Sequence, residues 1–192
     1  FPLLTLLLSA ALGRERITPA LATGVLLSIA GVALSLTPKL GAAHPGHWWG
    51  ELAVLASAGV GALCSVLYRP YLQRYPTLPV SALAMGASVL FLAPMALVEG
   101  WPARVAALSG QAWAVVAFIG ISSGAGYFAW LYALKHESPT RVTVFLALNP
   151  VTAAVLGTLL LSEPIDGWMF GAIVCIGAGL WLATRGAPVP PR

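Results

Sequence analysis

Apolar residues run in long stretches at 19–36, 48–68, 79–98, 111–134, 142–161 and 167–184, each closed by Pro, Gly or charged residues. At about 1.5 Å of rise per residue, every one is long enough to cross a hydrocarbon core about 30 Å thick as a helix. A shorter run, "FPLLTLLLSAAL", opens the chain and covers only roughly 18 Å before the charged "GRER". It has no basic segment before it and no small-residue cleavage site after it, so it reads as a fragment of a helix and not as a signal peptide. Seven helices are thus predicted. Thr18 before Pro19, Asp166 before Gly167, and Thr140 after Ser138 and Pro139 suit helix starts.

Composition turns these helices into membrane spans. Of the 192 residues, 59% are hydrophobic and 8% charged, too little polar surface to clothe a water-soluble domain. The fold class is an all-α integral membrane protein, a multi-helix transmembrane bundle whose partner is the lipid bilayer. Its ten Lys and Arg residues are scattered singly between apolar runs, which argues against nucleic acid despite the net charge of +4. Cys64 and Cys175 lie inside apolar segments and lack disulfide or metal-ligand spacing. No cofactor is implied.

Alternating crossings divide the loops into two sets. Arg14, Arg16, Arg69, Arg74, Lys135, Arg141, Arg185 and Arg192 fall on one side, and only Lys39 and Arg104 on the other. The positive-inside rule makes the first side cytoplasmic and puts the C-terminus there. Trp48, Trp49, Trp101, Trp113 and Trp168 collect at helix ends on the opposite side, as an interfacial belt. Arg, Ala and Gly are abundant beside few Lys, which hints at a bacterial source and hence a plasma membrane.

Sliding the chain by 148 positions lays residues 2–36 on 150–184 without a gap. Pro2 meets Pro150, Glu15 meets Glu163, Ile17 meets Ile165 and Gly31 meets Gly179, and the cap Thr18 meets the cap Asp166. The first hairpin carries Arg14 and Arg16, whereas its counterpart "LSEPID" has no basic residue, so the same hairpin occurs in opposite orientations. Five helices separate the matching elements, and an odd number inverts a repeat, the architecture of alternating-access transporters. The expected organisation is therefore the last two helices of a first repeat at 1–36, a linker at 37–47, a complete five-helix second repeat at 48–185, and a cytoplasmic tail at 186–192. Three N-terminal helices of the same polypeptide are expected to be missing, seven being visible of ten.

"GRERITPALATGVLLSIAGVAL" and the stretch from "YFAWLYALKHESPTRVTVFLALNP" to "GAIVCIGAGLWL" resemble closing segments of the EamA family in the drug/metabolite transporter superfamily. The resemblance covers nearly the whole chain. It implies two inverted five-helix repeats around a central cavity, and a permease or exporter of small organic solutes such as amino acids. Where the family often has a Trp and a Tyr, "VGALCSVL" shows Gly61 and Cys64, which implies a roomier pocket.

The polar positions of the spans are the candidate solute contacts. Pro150 has no N–H to give the carbonyl of Leu146 and crowds it, so a helix break with an exposed acceptor is expected, tolerated where the backbone faces protein or a watery cavity. Asn149 adds an amide beside it. Helical spacing sets Phe145, Asn149 and Thr152 on one face, and Ser123, Tyr127 and Trp130 along one face of the preceding helix. Hydroxyls, an amide and aromatic surface suit a small amphipathic molecule, although each also suits packing between helices. Thr5, Ser9 and Ser57 are further candidates, with bonding to their own helix as the alternative. Glu15 and Glu163 sit beside helix caps, where acids complement the helix dipole. No Asp, Glu, Lys, Arg or His falls in the central third of a complete span, so no proton relay is visible.

Two rival readings remain at this level. "GISSG" at 120–124 matches the G-x-S-x-G nucleophile pattern and suggests an intramembrane hydrolase using Ser122, but that elbow needs a strand-turn-helix and a nearby His. Gly120 and Gly124 read better as a small-residue packing face. A non-transporting membrane scaffold would need no helix break at the midplane in both repeats. "HPGH" at 44–47 offers two metal ligands without a third and reads as linker.

Overall fold

A computed structural model describes residues 1–37, 48–162 and 166–185. The linker from residue 38, Glu163 and the tail lie outside the described residues. The helices are α1 (Pro2–Ala11), α2 (Pro19–Leu36), α3 (Trp48–Arg74), α4 (Thr77–Val98), α5 (Trp101–Ala106), α6 (Gly110–His136), α7 (Pro139–Val144), α8 (Leu148–Leu161) and α9 (Gly167–Arg185), with a 3-10 turn at Phe145–Ala147. No strand occurs among the described residues. Six helical segments are long and apolar enough to cross a membrane, counting Pro139–Leu161 as one, and the shorter apolar α1 precedes them. The protein is an all-α integral membrane protein.

Local chemistry sets the boundaries. Thr18 accepts from the amide of Leu21, 3.2 Å away, and Pro19 occupies the first turn of α2. Asp166 does the same for Met169 at 2.7 Å. Ser138 caps α7 by accepting from Arg141, which frees Thr140 for another partner and corrects its placement as a cap. The spans run further than hydropathy marks: α3 continues through Pro70 to Arg74 and α6 to His136, because their polar ends still satisfy helical hydrogen bonds. The six-residue α5 is too short for the apolar pattern to reveal.

The chain forms two compact units. The first, residues 1–67 and 137–192, is built on the antiparallel pairing of α2 with α9 and on the packing of α1 against α7. Leu6, Leu21, Val25, Val144 and Ala183 form its buried centre. In the second, residues 68–136, α4 packs on α6, with Met85 lying over Gly124. Leu83, Leu90, Phe91, Phe118 and Ile121 stand in the open there. Water disfavours such a surface, and lipid accepts it.

The α2–α9 crossing needs its glycines. A Cβ on Gly31 would meet Ile176 and the carbonyl of Ala172 within 2.7 to 2.9 Å, and one on Gly179 would meet Ser28 and, at 2.7 Å, the carbonyl of Gly24. Adding 148 to Gly24, Ser28 and Gly31 gives Ala172, Ile176 and Gly179. The two contacts therefore exchange under the sequence offset, as a local two-fold axis between the helices requires.

Candidate functional site

The chain between Pro139 and Leu161 is one apolar segment interrupted in its first half. Residues Phe145–Ala147 tighten into a 3-10 turn, and α8 restarts at Leu148. Pro150 thus falls in the first turn of a helix, where an amide has no intrahelical partner and its absence costs little. The expected break is present, displaced one turn toward the start of the segment.

Phe145, Asn149 and Thr152 are all exposed along this segment, with Phe145 at 49%. Thr152 donates its hydroxyl to Leu148 at 3.0 Å, so its outward chemistry is that of a methyl and an acceptor lone pair. Asn149 carries the strongest hydrogen-bonding group on that face. Ser123 is exposed on α6, and Tyr127 and Trp130 are half-buried. These three belong to the second unit and the Asn149 face to the first. Ser57 is exposed on α3. Thr5 is fully buried and bonds the carbonyl of Phe1 at 3.2 Å, which places it in helix packing. Ser9 is also fully buried, and its hydroxyl finds no partner among the described residues.

The "GISSG" motif lies inside the uninterrupted α6, and Ser122 donates to its own helix at Phe118, 2.7 Å away. No strand-turn-helix elbow exists there. Among the described residues no cluster of His, Cys, Asp and Glu is suited to a metal.

Three features escaped sequence reasoning. The ring of Phe1 lies directly against Gly61, filling the room that the absence of a side chain leaves. Thr140, fully buried, donates its hydroxyl to the carboxylate of Glu15 at 2.5 Å. Arg14 donates to the carbonyl of Val66 in α3. A signal for the last is present in the sequence: Pro70, four residues beyond Val66, leaves that carbonyl without its helical donor.

The model of the EamA-like transporter family matches residues 48–185. The chain belongs to this family. It is 29% identical over 187 residues to an uncharacterised transporter of Archaeoglobus fulgidus, covering 96% of this chain and 64% of that protein. A probable terminal-alkyne amino-acid exporter of Streptantibioticus cattleyicolor is 31% identical over 165 residues, covering 84% of this chain and 53% of the relative. An aromatic amino acid exporter of Ancylobacter novellus is 31% identical over 161 residues, with 81% and 54% covered. The chain thus spans between about half and two thirds of the length of these relatives. No solved structure matches it.

Proposed function

We propose that the polypeptide containing this chain exports small amphipathic organic solutes, of which amino acids are the first class to test, by alternating access between inverted five-helix repeats. The observation that carries this reading is the exchange of the Gly31 and Gly179 contacts under the 148-residue offset, the pattern expected where two inverted repeats meet. The helix break before Asn149 supports it, since irregular backbone at membrane depth belongs where it faces protein or a cavity. The two relatives described as amino-acid exporters support the solute class.

In this reading the Phe145, Asn149 and Thr152 face is a wall of the pathway and Asn149 its orienting contact. Ser123, Tyr127 and Trp130 form a second set, to be tested separately. Residues 1–36 close a first repeat and 48–185 make the second. The protein resides in a bacterial plasma membrane with its C-terminus in the cytoplasm, the side on which the basic loops collect.

The test is solute efflux from liposomes holding the full-length polypeptide, preloaded with labelled aromatic, aliphatic or charged amino acids. The proposal expects faster efflux of at least one class than from empty liposomes. Equal efflux for every class, from protein shown to be folded, contradicts it.

A further inference from the structure

The hairpin between α1 and α2 is built to hold two side chains in fixed directions. After Leu12, Gly13 adopts a left-handed conformation with φ of 66°. Its amide bonds the carbonyl of Ala10 at 2.9 Å, and the amide of Arg14 bonds that of Ser9 at 2.8 Å. This is a Schellman closure, in which the last carbonyls of the helix are satisfied by the turn itself. The amide of Glu15 also reaches Ser9, at 3.2 Å. Arg14 and Glu15 therefore leave a rigid turn.

Each then reaches a different distant element. The Arg14 guanidinium donates to the carbonyl of Val66, 52 residues away on α3. Pro70 has no N–H, so in an otherwise continuous helix the Val66 oxygen lacks its ordinary donor. Arg14 takes that donor's place. The Glu15 carboxylate accepts from buried Thr140 in the first turn of α7, 125 residues away. One turn thus ties the α1–α2 hairpin to two segments far along the chain, both from the part that would form the second repeat.

We propose that residues 13–16 form a gate latch, with Arg14 holding α3 by the carbonyl that Pro70 frees and Glu15 holding α7 by Thr140, and that these bonds release when the polypeptide opens on this side. The inference rests on the alternating-access reading. Alternating access requires contacts between repeats on one side to break while those on the other form. A hydrogen bond from a guanidinium to a surplus carbonyl suits this role, because neither helix loses an internal bond when it breaks.

The latch is tested in the full-length polypeptide with Cys64 and Cys175 changed to Ala and Ser9→Cys as the reporter, a buried position on α1 behind the hairpin. A membrane-impermeant thiol reagent is applied from the side of the basic loops in inside-out vesicles. Arg14→Gln should speed labelling roughly tenfold, the ratio for loss of one charge-assisted hydrogen bond. Pro70→Ala restores the helical donor to Val66, so the same Arg14→Gln change in a Pro70→Ala background should alter labelling less than twofold.

Unchanged labelling by Arg14→Gln overturns the latch. An equal increase in both backgrounds also overturns it, since Arg14 would then act through something other than the Val66 carbonyl. If Arg14→Gln lowers the yield of folded protein, Thr140→Val tests the Glu15 arm with the same expectation, and no acceleration there counts against the proposal. The labelling reads opening without any transported solute, so its failure is separable from a failure to find efflux.

Discussion

Gly31 lies against the turn of α9 that holds Ala172 and Ile176, and Gly179, its counterpart 148 residues on, lies against the turn of α2 that holds Gly24 and Ser28. Each glycine occupies toward the other's helix the place that the other occupies toward its own. In lipid, where apolar surface alone gives helices little reason to associate, such backbone approach at small residues is a main source of adhesion.

Substituting either glycine should therefore be costly. Gly31→Val and Gly179→Val are each expected to destabilise the protein by about 1 to 3 kcal/mol through overpacking. Gly177→Val, whose Cβ would meet nothing within 4 Å, should change stability by less than about 0.5 kcal/mol apart from helix propensity. Thermal unfolding of the three variants in detergent checks the order.

The left-handed turn at Gly13 gives a second test. Gly13→Ala meets no neighbouring atom, so its cost is conformational alone, about 1 to 2 kcal/mol. Gly13→Asn should cost clearly less, because Asn tolerates that region. Thermal melting of the pair against the parent protein measures the difference.

How much of this was legible beforehand depended on the range of the interaction involved. The spans follow from apolar run length, and the caps at Thr18 and Asp166 from side chains that act within three residues. The proposed repeat is read from Pro2, Glu15 and Gly31, since symmetry would copy residue types. Ser138 displaced Thr140 as a cap because both carry a suitable acceptor oxygen and stand only two residues apart, so that only the backbone path selects between them. The Thr140–Glu15 bond spans 125 residues, and no periodicity encodes such a distance. Phe1 against Gly61 was hidden for the same reason: a missing side chain in one helix indicates space and not what fills it.

The Glu15–Thr140 bond should show energetic coupling. Glu15→Gln and Thr140→Val are each expected to destabilise, and the double variant by less than their sum, with an interaction of about 1 to 2 kcal/mol for a hydrogen bond to a charged group. A double-mutant cycle by chemical unfolding provides the value. A cycle that sums to zero means the carboxylate has another partner of equal strength.

Ser122 and Asn149 separate the transporter reading from the hydrolase reading. Ser122 spends its hydroxyl on its own helix, so Ser122→Ala should leave efflux within about twofold of the parent. Asn149→Leu removes the amide proposed to orient the solute, and efflux should fall at least about tenfold, the effect of one lost hydrogen bond of roughly 1.4 kcal/mol. Rates measured in the same liposomes decide between them.

The central claim is that Asn149 faces a watery solute pathway. It is tested most directly by a single cysteine at position 149 in the full-length polypeptide, with Cys64 and Cys175 replaced, labelled by a membrane-impermeant thiol reagent in the presence and absence of candidate amino acids. The account predicts labelling that one class of amino acid suppresses. A cysteine that stays unlabelled under every condition, in protein shown to be folded and inserted, would contradict it and assign Asn149 and Pro150 to helix packing.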